Sequence, residues 1–131
     1  MKWVLLFGGA YNLLWGTFVI VRPDLMFKWA GMDQPRYPEL WQCIGMIVGV
    51  YGVGYAIAAF DPVSHWPIVL VGFLGKIFGP IGMAKALYDG TLPSRFATTI
   101  LSNDLIWWIP FGLILWHAWK SNVVDRSVDP T

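Results

Sequence analysis

Charge is what this chain has least of. Asp, Glu, Lys and Arg make up 13% of its 131 residues, about half the ~25% usual for a soluble domain. The charges that remain nearly cancel, to +1, so there is no basic footprint for nucleic acid and no nucleic-acid partner is expected. Cysteine is almost as scarce. Cys43 stands alone, which excludes an intrachain disulfide and any CxxC pair for metal or redox work. Catalytic signatures are missing too. No GxSxG, no phosphate-binding loop and no dinucleotide glycine fingerprint occurs in its required context. The carboxylates Asp33, Glu39, Asp61 and Asp89 fall in loops or at helix ends, and no general acid–base pair is recognisable. The expectation is a protein that is not an enzyme and needs no cofactor.

Apolar residues take the place of charge. They make up 56% of the chain, nine of them are Trp, and the mean hydropathy is +0.55. A soluble domain of this size leaves a large fraction of its surface in water. It could not hide this much apolar area, so the solvent implied is lipid.

Crossing ~30 Å of hydrocarbon takes ~20 predominantly apolar residues in a helix. Four runs qualify, at residues 3–21, 40–60, 66–87 and 96–119. The expected fold is therefore an all-α, integral membrane bundle of four transmembrane helices in a single domain, 1–120. A polar tail at 121–131 is expected to be disordered. Arg22-Pro23-Asp24, Asp61-Pro62 and Asp89-Gly90 punctuate the runs, and Pro67 suits a first helical turn. Trp3, Trp41, Trp66, Tyr88, Trp116 and Trp119 lie near the ends, as aromatic belts do. The first run resembles a signal peptide, but its apolar stretch is too long for a signal core. Between the first two runs, residues 23–30 read as a short interfacial helix stopped by Gly31, with Lys28 toward the headgroups.

Lysine and arginine do not orient the chain. Lys2, Lys120 and Arg126 fall on the side of the termini, and Arg22, Lys28, Arg36 and Arg95 on the other. That balance is too even for the positive-inside rule.

Lys76 is the residue most in need of explanation. It lies about 16 Å from either end of its run at ~1.5 Å per residue, beyond the reach of a snorkelling side chain. A charge at that depth costs at least ~2.5 kcal/mol, and intramembrane ionisable groups mark functional sites by default. Asp104 is the matching acid, since antiparallel alignment of the last two runs sets it level with residue 81. The two could form a pair that locks helices together, or a midplane site for a ligand, ion or proton. Asn12, Ser102, Asn103, Tyr51 and Tyr55 are further candidates near the same depth, with Thr99 beside them. Pro80 frees the carbonyl of Lys76, and Pro110 that of Ile106. These breaks read as ordinary kinks, or as the broken helices of a transporter.

Glycines form a second pattern. Gly72, Gly75, Gly79 and Gly82 recur along the third run, and Gly45, Gly49, Gly52 and Gly54 along the second. Small residues let membrane helices approach closely, so these are expected to pack helix two on helix three. A homodimer face and a lipid groove are the alternatives. His65 and His117 fall on the same membrane side and make a haem or metal pair the weakest candidate. No HxxxH or ExxH spacing strengthens it, and no other metal site is expected.

The order of features resembles a known group. Gly8-Gly9-Ala10-Tyr11-Asn12-Leu13-Leu14-Trp15 is followed by Phe27-Lys28-Trp29-Ala30-Gly31-Met32-Asp33-Gln34-Pro35, a glycine-rich span and an Asp61-Pro62-Val63-Ser64-His65 turn. Residues 4–75 thereby resemble the DoxX-like small bacterial membrane proteins. The resemblance implies a four-helix bundle in a bacterial inner membrane and a partner subunit, with some members serving quinone-linked redox complexes. Lys76, Pro80 and the 103–108 run match no motif of that group. Three function classes stay open: an accessory subunit or binder of a partner or lipid-like or quinone-like molecule, a small transporter or channel using Lys76 and Asp104, and a redox subunit holding haem or quinone. Membrane lipid is the expected surrounding, with a partner subunit or a second copy as further partners.

Overall fold

The computed structural model describes the backbone of residues 1–128 and the side chains of residues 1–122. The fold is all-helical, with four helical segments long and apolar enough to cross a membrane. Helix α1 is Lys2–Val21, α3 is Pro38–Ala58 and α4 is Trp66–Tyr88; between α1 and α3 lies the short α2, Leu25–Ala30. The fourth span, Ser94–Asn122, is not the continuous helix its apolar run suggests. It opens with a 3-10 turn, Ser94–Phe96, continues as α5, Ala97–Ile100, widens into a π-helical turn, Leu101–Leu105, and proceeds as α6, Ile106–Val128.

Local chemistry explains the punctuation. Pro38 and Pro67 occupy first turns, where a missing N–H costs nothing. Gly31 and Gly90 adopt φ of 71° and 70° and end α2 and α4 in the same way. The N–H groups of Gly31 and Met32 donate to Lys28 and Phe27, and those of Gly90 and Thr91 to Leu87 and Ala86. That is the Schellman arrangement, which needs a left-handed residue. The π turn precedes Pro110. Within it the Ile106 N–H reaches the Leu101 carbonyl five residues back, and the proline withholds the donor to the Ile106 carbonyl.

The polar tail differs from expectation. Backbone helix continues through Val128, and the Ser121 hydroxyl and Asn122 amide donate to the carbonyls of His117 and Ala118 one turn earlier. Residues 129–131 lie outside the described residues.

The helices associate in two pairs, α1 with α3 and α4 with the fourth span. The α1–α3 seam is glycine on glycine. A Cβ added at Gly16 would sit 2.5 Å from the Gly45 carbonyl oxygen, and one at Gly45 would sit 2.9 Å from that of Gly16. The same reciprocal approach joins Gly9 and Gly52, at 2.9 and 2.7 Å. Two contacts seven residues apart on each antiparallel helix bring the backbones together where lipid supplies no hydrophobic drive. Gln42 Nε2 closes the seam by donating to the Ile20 carbonyl at 2.7 Å, one of the α1 C-terminal acceptors that lacks a helical partner.

This corrects the expected glycine packing. Helix two packs Gly45, Gly49 and Gly52 on helix one, while Gly54 faces helix three, where an added Cβ would sit 3.1 Å from Ile68 Cγ2. Gly45 lies in that seam, and Gly49 supplies the backbone that Gly16 meets. Of the third span's glycines only Gly72 is tightly packed, under the ring and hydroxyl of Tyr55. Gly75, Gly79 and Gly82 are exposed, and a Cβ at Gly75 or Gly82 would meet nothing within 4 Å. The spacing revealed small residues without showing which partner needed them.

The pairs are joined at the end nearest the termini. There Leu5, Tyr55, Ala58, Ala59, Val69, Phe111 and Ile114 form one buried cluster. Tyr55 meets Phe111 edge-on at 5.0 Å between centroids, a favoured aromatic geometry. At the opposite end the pairs separate. Helix α2 tucks against the opening, with Phe27 edge-on to Trp41 at 5.4 Å and Arg95 donating to the Trp29 carbonyl at 3.0 Å. Lys28 donates to Asp24 at 2.7 Å and holds its carboxyl well down, to about 2.

Candidate functional site

The polar residues of the third and fourth spans converge at the π turn. Lys76 is buried on α4 and Asp104 on the π turn, each with less than a tenth of its surface exposed. Among the described residues no direct ion pair joins them. The Lys76 ammonium donates instead to the backbone carbonyl of Asn103 at 2.6 Å, and it lies 5.6 Å from the centroid of the Trp107 ring. A carbonyl and an aromatic face thus hold the cation. The π turn brings that carbonyl within its reach.

The carbonyl of Lys76, deprived of its helical donor by Pro80, is satisfied from the other helix. Trp108 Nε1 donates to it at 2.7 Å. Trp107 Nε1 donates to the Ser102 carbonyl at 3.3 Å, within the π turn. Two tryptophans therefore repair the polar groups that helix irregularities expose. The sequence alone assigns Trp107 and Trp108 no role and places only the tryptophans near the ends in an interfacial belt. The signal it missed was a Trp pair two and three residues before Pro110.

Asp104 turns toward α4 at a residue without a side chain. Its two carboxylate oxygens lie 3.9 Å from the place where a Cβ on Gly79 would sit. Alignment had set it level with residue 81, half a turn away. Its Oδ1 accepts a 3.3 Å bond from Asn103 Nδ2.

Beside this cluster, between the two helix pairs, is a cavity of about 250 Å³. Tyr11 and Trp15 of α1, Trp41 of α3, Gly75 and Gly79 of α4, and Asn103 and Asp104 line it, with Met26 of α2 near the opening. All four spans contribute. The exposed glycines of α4 help to make the space, since they place no side chain there. Two buried polar atoms without a hydrogen-bond partner occur among the described residues: Trp41 Nε1 and Asn103 Oδ1. Both belong to side chains that line this cavity. An unpaired buried polar group costs ~1–3 kcal/mol; both atoms are shielded within the layer of side chains around the cavity.

The other sequence candidates make no hydrogen bond to Lys76 or Asp104. Asn12 is buried on α1. Tyr51 and Tyr55 have ring centroids 6.4 Å apart and planes tilted at 49°, with Tyr55 in the closed end of the bundle. Ser102 and Thr99 line the cavity, but their hydroxyls donate to the carbonyls of Thr98 and Phe96. His65 ends the turn before α4, its Nδ1 2.9 Å from the Asp61 carbonyl, and His117 is exposed on α6. No group of three or more His, Cys, Asp or Glu able to hold a metal occurs among the described residues. No family model, curated protein or solved structure matches the chain.

Proposed function

We propose that this four-span membrane protein is a non-enzymatic binder or accessory subunit. It holds a lipid-like or quinone-like molecule in the cavity between its two helix pairs. The observation that carries this reading is the cavity itself, to which all four spans contribute and whose lining includes the buried Asp104 beside exposed glycines. The volume fits a small ring system or the head of a longer molecule. An engineered cavity of ~150 Å³ takes one benzene ring, and drug-sized pockets begin near ~300 Å³. The resemblance to DoxX-like proteins supports a bacterial inner membrane and a partner subunit.

The test is native mass spectrometry of the protein extracted from its host membrane in mild detergent. A bound molecule of defined mass should copurify with wild type and be lost from Gly79→Leu, which fills the cavity without touching the α1–α3 seam. Equal lipid adducts on both proteins would defeat the reading.

A second reading, a small transporter, rests on the π turn beside the cavity. Irregular backbone at membrane depth is tolerated where it lines a cavity or is buried in protein. Uptake of the copurified molecule into proteoliposomes would support transport, and binding without uptake would exclude it.

A further inference from the structure

The cavity changes character with depth, and that selects among the molecules that could fill it, on the premise that it is a ligand site. Its mouth lies under α2, where α3 and the fourth span begin and α4 ends. Trp41, Phe96 and Met83 line it there with Met26. On α4, Gly75 lies eight residues deeper than Met83, about 12 Å at ~1.5 Å per residue. Asp104 lies eight residues deeper than Phe96 on the fourth span. The mouth is therefore apolar, and the floor carries a carboxylate. Asp104 is only 9% exposed. Its Oδ1 has the 3.3 Å bond from Asn103 Nδ2, whereas Oδ2 accepts nothing among the described residues and is not shielded as Trp41 Nε1 and Asn103 Oδ1 are. Both oxygens lie 3.9 Å from the place a Gly79 Cβ would take, so the missing side chain leaves the carboxylate open toward the cavity.

An open acceptor at mid-membrane depth calls for a donor. Thr99 and Ser102, on the same wall, have given their hydroxyl hydrogens to the carbonyls of Phe96 and Thr98 and add only lone pairs. A phospholipid keeps its headgroup at the interface, so it would bring acyl chain to Asp104 and no donor. A cation would bond strongly to the carboxylate. Yet the buried Lys76 ammonium, held by the Asn103 carbonyl, already offsets that charge, and a further buried cation is expensive. An amide would set its carbonyl against the lone pairs of Thr99 and Ser102. A hydroxyl brings one small donor and no charge, and its bond to a carboxylate is charge-assisted. We infer that the cavity binds an uncharged amphiphilic alcohol hydroxyl-first. The hydroxyl donates to Asp104 Oδ2 at the floor, and the apolar body runs back along the bare Gly75–Gly79 face to the mouth under α2.

The experiment uses three photolabels on the full chain in lipid nanodiscs. Each carries an aryl-diazirine tail on a pentyl chain, which ends in a hydroxyl, a methyl ether or an ammonium. Binding is read as saturable labelling, and the labelled residues are mapped by mass spectrometry. The alcohol should bind at least about tenfold more tightly than the ether, the equivalent of about 1.4 kcal/mol, and its tail should label Met26, Trp41, Phe96 or Met83. In the double variant Lys76→Met, Asp104→Leu, which removes the acceptor without stranding a buried charge, the preference for the alcohol should disappear. Each variant is checked first for wild-type helix content. Gly79→Leu, which leaves every polar group in place, should abolish labelling by all three. Equal binding of alcohol and ether, still blocked by Gly79→Leu, would overturn the hydroxyl assignment and leave the binding reading standing. Tail label on Tyr11 or Gly75 would overturn the hydroxyl-first orientation. Tighter binding of the ammonium would overturn the uncharged class in favour of a cation site. Saturable labelling by none would overturn both this inference and the reading it rests on.

Discussion

Replacing Gly16 by alanine tests the physical basis of the fold with a single methyl group. The added Cβ would lie 2.5 Å from the Gly45 carbonyl oxygen, 3.0 Å from the Gly49 nitrogen and 3.2 Å from the Gly49 Cα. All three neighbours are backbone, so no side chain can swing aside. A comfortable carbon–oxygen approach is ~3.3 Å or more, so α1 and α3 must part locally by roughly 0.8 Å. A gap of ~0.5–1 Å forfeits a quarter to a half of the dispersion energy of each facing atom pair. Over-packing of this kind typically costs ~1–3 kcal/mol, and about 2 kcal/mol is expected here. Gly82→Ala is the matched control. Its Cβ would meet nothing within 4 Å, and alanine favours helix by up to ~1 kcal/mol over glycine. The two substitutions should therefore move stability in opposite directions. Reversible unfolding in mixed micelles, followed by circular dichroism, measures both. Equal effects, or a neutral Gly16→Ala, would refute the glycine seam.

Three further outcomes follow from named contacts. Trp108→Phe removes the donor to the Lys76 carbonyl and should cost ~1–3 kcal/mol; in a Pro80→Ala background, where a backbone N–H returns, the same change should cost measurably less, and a strictly additive cycle would show that the indole does not serve that carbonyl. Lys76→Met removes a charge-assisted bond of ~1.5–3 kcal/mol and leaves Asp104 buried without a compensating cation, so adding Asp104→Leu should recover part of the loss in the same unfolding assay; no recovery would mean the two charges are independent. Asp24 has a carboxyl held down to about 2, below the usual carboxylate range, through its bond to Lys28. Its stabilisation of α2 is therefore present above about pH 4 and lost as pH falls through about 2. A carboxyl resonance titrating near 4 instead would show that the pair does not form.

Much of the fold was legible because lipid imposes simple rules. Length and hydropathy located four spans, and Pro38, Pro67, Gly31 and Gly90 punctuate them for local reasons that a sequence displays. The depth of Lys76 and Asp104 could be read by counting residues, and the freed carbonyl of Lys76 followed from Pro80 alone. What lay outside reach were relations between helices. Glycine spacing on α3 and α4 looked alike, yet one face meets α1 and the other borders a cavity, because partner choice depends on helix rotation. The π turn was equally hidden. It shifts register within Leu101–Leu105 and puts the Asn103 carbonyl, not the Asp104 carboxylate, under the Lys76 ammonium. No single residue type announces such a slip, and the cavity is a consequence of two helix pairs meeting at one end only.

The central claim is that the space between those pairs is an occupied site. The most direct measurement is an experimental structure of the protein in nanodiscs made with lipid from its own host membrane, at a resolution that shows side-chain hydrogen bonds. The account predicts ordered density over Gly75 and Gly79, with a polar atom within ~3 Å of the Asp104 carboxylate, the range of a hydrogen bond. Helices closed over the space, or an acyl chain that touches only its apolar walls, would contradict it.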